Sequence, residues 1–493
     1  TDSSGKLHAT CTSSDVFSVR PKDFKVYDTV ANSILNTPRL IGGRPYPNIG
    51  LIATDKNDQP AKGYKNTIKT DESKGNIATF TPQSPGLSCK ATIPGAMELE
   101  AIFDQENGIG TLQKYISGAT ATTDRRFSFD EIGNVNLQVV DASYTAIDKT
   151  NNDCIVGSST ITKDSFGRIG CNIELTPTPF TFIPQDISID NVRITNFQGG
   201  NMTYISNQPE MASTVTFNLT ARLGDTARTT SRLYTNGCYS KQNSFTIGIA
   251  GNLPGFTDET GQATNIADAI QRDVIYSSNA GDANTAKEAN TANNNGAFTV
   301  NAAAFNQGIA TASINLNFIR RVNVAKNPFT VPDNIFTFNG VEDTDHVPGA
   351  TYTAPSAPTS SSQFYYGIVY APDYKGPLRG FNAKVYFGVF CNACNTTNYP
   401  IASSALLPSA TNWFLNTTHN TTAQGQVNLY NSANTDSKTT ITPRPNIANG
   451  IQIIRLSSAS STPVTDTIQM NASNWLIFNA TNKNATFNTF NVS

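Results

Sequence analysis

Strict alternation of apolar and polar residues recurs along this chain, and no other feature restricts its fold as much. Val135, Leu137 and Val139 are interleaved with Asn134, Asn136 and Gln138. Val215, Phe217, Leu219, Ala221 and Leu223 alternate with Thr216, Asn218, Thr220 and Arg222, and Ile314, Leu316 and Phe318 with Ser313, Asn315 and Asn317. Ala383, Val385, Phe387 and Val389 are set against Lys384 and Tyr386. Successive side chains of an extended backbone point to opposite faces, so each run reads as a strand with one apolar face and one wet face. Gly, Pro, Asn and Asp punctuate the chain between the runs, as in sandwich domains. Helical periodicity is nearly absent; between Asn265 and Tyr276 only, Ile266, Ala269, Ile270 and Val274 approximate one helical face. The expected fold class is all-β, as tandem Ig-like β-sandwich domains with long loops and at most one or two short helices.

A chain of 493 residues is too long for a single hydrophobic core. Residues 277–297 are low-complexity and poor in core formers, which predicts a mobile insert. Residues 347–362 are rich in Pro, Ser and Thr and read as a semi-extended connector. The run TPTPFTF at 176–182 precedes a fresh set of strands. These features place an N-terminal β-sandwich at 1–178, a second at 179–350 carrying the insert 277–297, and a C-terminal one at 351–493. The segments Phe17–Phe24 and Phe182–Ile187 each set a proline before a polar pair and a returning apolar residue, a hint of related domain entries.

Only 15% of residues are charged, against roughly 25% in an average soluble protein, and 35 basic residues face 37 acidic ones. Such a surface has no broad field to steer it onto nucleic acid or anionic lipid, so neither is an expected partner. No stretch approaches the ~18 continuous apolar residues of a membrane span. Thr1–Lys6 lack the charged and apolar regions of a signal peptide, so an exported form is expected to have lost its signal already. Seven cysteines, at 11, 89, 154, 171, 238, 391 and 394, with abundant Asn and Thr and only four Met, suit an oxidising compartment. Spacing favours Cys154 with Cys171 and Cys391 with Cys394; Cys11 with Cys89 is the natural third pair, leaving Cys238 over.

The chemistry-bearing residues are sparse. Three histidines, His8, His346 and His419, lie far apart in sequence, and metalloprotease, nucleophile-elbow, phosphate-loop and EF-hand motifs are missing. No catalytic residue is expected and the protein is read as a non-enzyme. Cys391-Asn-Ala-Cys394 lacks the second pair a zinc site needs and follows a strand where a redox motif should open a helix; it reads as a structural disulfide. No resident cofactor or metal is expected, with one weak exception: Glu342, Asp343 and Asp345, beside His346, form an acidic loop that could offer oxygens to Ca²⁺. Asp141, Asp148 and Asp153 are too loosely spaced for the same inference.

Two features point outward. Tyr365, Tyr366, Tyr370, Tyr374, Trp413 and Phe414 could stack on sugar rings, although FYYGIVY also reads as a core strand; Tyr374, in the loop APDYKG, and Trp413 are the binding candidates. Nine Asn-X-Ser/Thr sequons occur, at Asn201, Asn218, Asn395, Asn416, Asn420, Asn471, Asn479, Asn484 and Asn491, and would carry glycans only in a host that modifies them.

Several segments, taken in order, resemble the MshQ-like family of Gram-negative cell-surface proteins. That family is associated with mannose-sensitive haemagglutinin (MSHA-type) type IV pili, and large surface proteins of Campylobacterota are related to it. The segments are Phe17–Pro21, FSFDEIGNVNLQVVDASYTAID at 127–148, FGRIGCNI at 166–173, FIPQDISI at 182–189, FYYGIVYAP at 364–372, Trp413–His419 and Asn474–Thr481. The resemblance implies extracellular β-sandwiches tied to adhesion or pilus tips, with no enzymatic residues to carry over. The expected function is an adhesin or pilus-associated binding module at the bacterial cell surface, its partner a surface glycan or abiotic surface. The alternative is a self-assembling structural subunit of a filament or surface layer, its partners copies of itself or pilus subunits joined through an unpaired strand at Trp475–Phe478 or Phe487–Val492.

Overall fold

The computed structural model describes residues 20–207, 209–250, 274–278, 285–287, 296–393, 405–431 and 438–493. Among them are thirty strands and a single α-helix, Ala146–Thr150, so the protein is nearly all-β. The chain forms two compact units. The first takes in the described residues up to Ile187 together with Ala221–Lys241 and Phe305–Ile309; the second takes in Ser188–Thr220 and the described residues of Gln242–Ala304 and Ala310–Ser493.

In the first unit eleven strands form one hydrogen-bonded sheet. Its middle is the antiparallel run Ile109–Lys114, Met97–Phe103, Ile77–Pro82 and Gly133–Asp141. One end closes with Pro179–Ile183 lying parallel to Arg39–Ile41. Alternation does here what it predicts: Val135, Leu137 and Val139 are buried while Asn134, Asn136 and Gln138 are exposed. The buried faces meet in one core, in which Phe80, Phe127, Phe129, Phe180 and Phe182 contact one another mostly edge to face. Such pairs add about 0.5–1.5 kcal/mol each beyond their buried area.

The second unit opens with a sandwich. Strands Asp186–Thr195, Ser213–Arg222, Ile309–Phe318 and Val274–Ser278 form one sheet; Thr285–Lys287, Gly296–Val300, Asn243–Ile249 and Phe336–Asp343 form another. Phe217 of the first sheet lies 5.3 Å from Phe245 and 5.0 Å from Phe338 of the second. Further along, Gly367–Tyr370, Phe381–Phe390, Ile451–Ser458 and Thr439–Ala448 form a sheet to which Trp413–Leu415 is added. Val427–Asn431, Asp466–Ala472 and Asn488–Val492 form a smaller one. Their inner faces share a core built on Tyr204, Phe387, Ile454, Met470, Leu476 and Phe490.

These units differ from the expected borders. TPTPFTF does not open a new domain, because Pro179–Ile183 pairs with Gly133–Asp141 and completes the first unit. The expected sandwiches 179–350 and 351–493 share one unit: Ser361–Tyr365 pairs with Phe329–Pro332 and with Thr203–Tyr204, and Tyr204 lies in the C-terminal core. Of the expected helical face, residues 265–273 lie outside the described residues, and Val274–Ser278 is a strand paired with Ile309–Phe318. Within the expected insert, Thr285–Lys287 pairs with Gly296–Val300.

The pairing of the cysteines needs correction as well. Cys89 is bonded to Cys238, not to Cys11, since the segment Ala221–Lys241 folds back into the first unit and brings the two within 4.6 Å at Cα. Cys154 is bonded to Cys171. Cys391 is also disulfide-bonded, while Cys11 and Cys394 lie outside the described residues.

Candidate functional site

The aromatic strand Phe381–Phe390 positions a pocket in the second unit. Gly367–Tyr370 pairs along one edge of that strand and Trp413–Leu415 joins at its end, opposite Gly388–Phe390. This register sets Tyr370 and Trp413 on the pocket wall. The rest comes from Phe478 and Asn479, which follow the turn Asn474–Leu476, and from Phe487, Asn488 and Thr489 at the start of the last strand. The cavity measures about 500 Å³.

The chemistry of the lining is uniform. Four aromatic rings, two amides, two threonines, Ile368, Val369, Ala410 and Met470 line it, and no Asp, Glu, Lys, Arg or His does. Trp413 is only 7% exposed, held between Phe390 at 5.2 Å and Phe478 at 5.0 Å. Phe487 is the most open of the rings at 39%, and Thr411 and Thr489 are exposed beside it. Tyr370 donates its hydroxyl proton to the Pro408 carbonyl at 2.7 Å, and burial raises its pKa. Asn488 Nδ2 donates to the Val369 carbonyl at 2.8 Å, fastening the last strand across the pocket floor. The Asn479 carboxamide oxygen accepts from the Thr481 and Asn482 backbone amides, an arrangement its NH₂ takes no part in.

Of the two binding candidates, Trp413 belongs to this pocket, mostly from beneath. Tyr374 does not. Its hydroxyl donates to the Lys384 carbonyl at 2.7 Å and accepts from the Lys384 amide at 3.1 Å, and its ring packs on Phe381 and Phe490. Its backbone exchanges hydrogen bonds with Asn491 and Ser493, so it clasps the C-terminal strand instead of presenting a ring to solvent. Tyr365 and Tyr366 are buried core residues. The proposed unpaired strands are also corrected: Asn474–Leu476 is a 3₁₀ turn, and Asn488–Val492 pairs with Asp466–Ala472 while Tyr374 bridges its other edge.

The acidic loop does not converge on a cation position. Glu342 Oε1 lies 2.9 Å from His346 Nδ1, and Asp343 is buried with Oδ1 accepting from the Asp345 and Val347 amides. Among the described residues no three His, Cys, Asp or Glu side chains are grouped to hold a metal ion. Asp141 is consumed by Tyr64, Asn66 and Ser143. The sequon Asn416 is buried with its NH₂ bonded to the Tyr204 hydroxyl, whereas Asn201, Asn420, Asn471, Asn484 and Asn491 are exposed; Asn395 lies outside the described residues. Sequence reasoning missed Phe478, Phe487 and Asn488 because that segment reads as a terminal strand. The signal available was two Phe-Asn steps flanking a Gly-free polar loop.

No protein-family model matches this chain, and no curated protein does either. Its backbone is similar at 8% identity and a TM-score of 0.18 to the C-terminal domain of AspA, a Streptococcus pyogenes antigen I/II-family protein, over 71% of this chain and 99% of that one. Domains 1–6 of the surface layer protein SbsC are 9% identical, with a TM-score of 0.15, over 95% of this chain and 54% of that one. A marsupial T cell receptor gives 10%, 0.11, 89% and 94% in the same terms. At these TM-scores none of the three assigns a function.

Proposed function

We propose that this chain is an extracellular binding protein of the adhesin or pilus-associated kind, acting through a saccharide-binding pocket and not through catalysis. The observation that carries this reading is the uncharged aromatic pocket. A pyranose has an apolar C–H face and a rim of hydroxyls; rings such as Phe487 and Tyr370 take the face, and threonine hydroxyls and amides take the rim. A charged ligand group would lose its hydration there with no opposite charge in return, so the pocket selects neutral sugar units. The paired cysteines support an oxidising compartment, and no described helix is long and apolar enough to cross a membrane. The resemblance to MshQ-like surface proteins supports the same assignment.

Trp413 lines the pocket, so its emission reports occupancy in a chain carrying Trp475→Phe. Neutral mono- and disaccharides on a glycan array should give saturable binding, and Phe487→Ala should weaken it by about tenfold, the order expected for one lost ring contact, with thermal stability unchanged. Indifference of the purified chain to the whole array overturns the reading. For the self-assembling alternative, the last strand is paired with Asp466–Ala472 along one side and stands at the edge of its sheet, bridged by Tyr374 at Val492; ordered polymers of the isolated protein in electron microscopy would favour that reading.

A further inference from the structure

Next to the uncharged pocket, on the stretches of chain immediately preceding Phe478 and Phe487, lies a second cavity of about 360 Å³. Its lining includes Arg320, Trp475, Asn474, Asn484 and Thr486, and no acidic residue. Arg320 is 6% exposed. Its guanidinium lies 3.5 Å from the centroid of the Tyr366 ring, and Nη2 donates to the carbonyls of Gly367 at 2.9 Å and Ile477 at 2.6 Å. Asn207 clamps the backbone on both sides, accepting from the Arg320 amide at 2.9 Å and donating to its carbonyl at 3.0 Å. The cradle is tight: a Cβ on Gly367 would come within 2.7 Å of the Tyr204 ring.

Among the described residues no carboxylate pairs with Arg320, and its Nη1, which carries two N–H donors, is buried without an acceptor. Burial lowers the pKa to about 10, so the side chain still carries its charge at neutral pH. Nε also reaches the Asn474 carbonyl at 3.5 Å, so Nη1 is the donor left over; a buried cation served only by carbonyl dipoles is costly, and a carboxylate accepting from Nη1 offsets that cost with a charge-assisted bond. The neighbouring amides and the threonine hydroxyl suit the hydroxyls of a sugar, and Asn484 and Thr486 are exposed at the rim.

We propose that the Arg320 cavity is a carboxylate subsite that takes an acidic sugar, a uronic acid, beside the neutral pocket. The proposal rests on the saccharide reading of that pocket and names its ligand class more narrowly. Only two tryptophans are present, one in each cavity, so each cavity can be read alone. In the full-length chain carrying Trp413→Phe, glucuronate should change Trp475 emission saturably, glucose should not at equal concentration, and acetate should compete only weakly. Adding Arg320→Gln should weaken glucuronate binding by at least about tenfold, and Arg320→Lys by several-fold, because an ammonium cannot serve the Gly367 and Ile477 carbonyls and still reach the ligand. If Arg320→Gln does not fold, Arg320→Lys and the salt dependence of glucuronate binding to the parent chain decide. Glucuronate binding no better than glucose overturns the proposal, as does binding untouched by Arg320→Lys and by added salt. Acetate binding as tightly as glucuronate also overturns it, since the site would then be a general anion hole. Each of these failures leaves neutral-sugar binding measurable at Trp413 in the Trp475→Phe chain, so it is distinct from failure of the saccharide reading itself.

Discussion

The two nitrogens of His419 have different duties, and the ring is fully buried. Nε2 lies 3.0 Å from the Gly425 carbonyl, which can only accept, so that nitrogen carries the proton. Nδ1 therefore accepts from the Tyr204 hydroxyl at 2.9 Å, and the same hydroxyl accepts from Asn416 Nδ2 at 2.7 Å. The ring stacks 4.0 Å from Phe387. Burial lowers the pKa from 6.5 to about 4, with the Gly425 carbonyl pulling the other way. Between those values the unfolded chain binds a proton that the folded chain rejects. The neutral ring's contribution is thus fully present above pH 6.5 and is lost as pH falls toward 4, on the order of 3 kcal/mol in all. Urea midpoints measured from pH 7 to pH 4 should fall more steeply for the native chain than for His419→Asn. Identical slopes would show that His419 is not the titrating group. None of this was legible in the sequence, where three scattered histidines said only that metal and general-base chemistry are thinly supplied. The partners of His419 are 215 and 6 residues away, a separation that no motif records.

Alternation identified most strands but not how many of their faces are covered. In Gly133–Asp141 the polar residues are exposed as expected. In Ile309–Phe318 the polar residues Ser313, Asn315 and Asn317 are buried along with the apolar ones, because the strand lies inside its sheet with chain packed on both faces. A period of two looks the same in both cases. What distinguishes them is side-chain chemistry: an amide in a doubly covered strand must find partners, and Asn317 does. Its Oδ1 accepts from the Ser206 amide at 2.9 Å and the Phe318 amide at 2.7 Å, and Nδ2 donates to the carbonyls of Tyr204 at 3.1 Å and Met211. Asn317 thereby binds Tyr204, Ser206 and Met211 to the strand. Asn317→Ala should cost about 3–5 kcal/mol, since it leaves buried amides and carbonyls unpaired, and chemical denaturation would measure it. A loss below about 1 kcal/mol would mean that water serves the same groups. The aromatic pocket was half legible for a related reason. Trp413 could be singled out by residue type, but Phe478, Asn479, Phe487, Asn488 and Thr489 come from a segment 65 to 76 positions later whose sequence signals only strand and turn.

At the scale of the molecule, chain order and spatial order part company in the first unit, and two devices hold the returning segment Ala221–Lys241 in place. One is the Cys89–Cys238 bond, 149 residues apart in sequence; in the chain-entropy account it contributes about 5 kcal/mol, against about 3 for Cys154–Cys171 with its separation of 17. The other is Glu131, buried, whose carboxylate accepts from Ser231 Oγ at 2.5 Å and from the Arg232 and Leu233 amides at 2.8 and 3.4 Å. Burial raises the Glu131 pKa while those three donors and the Ile132 amide pull it back down, so the segment supplies three of the four hydrogen bonds that let the carboxylate stay there. Each device presumes the other: with the disulfide open the segment can detach, and a detached segment leaves Glu131 with the Ile132 amide in place of four donors. Cys89→Ser with Cys238→Ser, and Glu131→Ala, should each lower the melting temperature of the first unit and expose Ala221–Lys241 to limited proteolysis, Glu131→Ala by about 2–4 kcal/mol. Combined, they should cost less than the sum of the two, because a segment already released has no contact left to lose. Strict additivity in calorimetry would show instead that disulfide and carboxylate act on separate parts of the unit, and that the returning segment is not one cooperative piece.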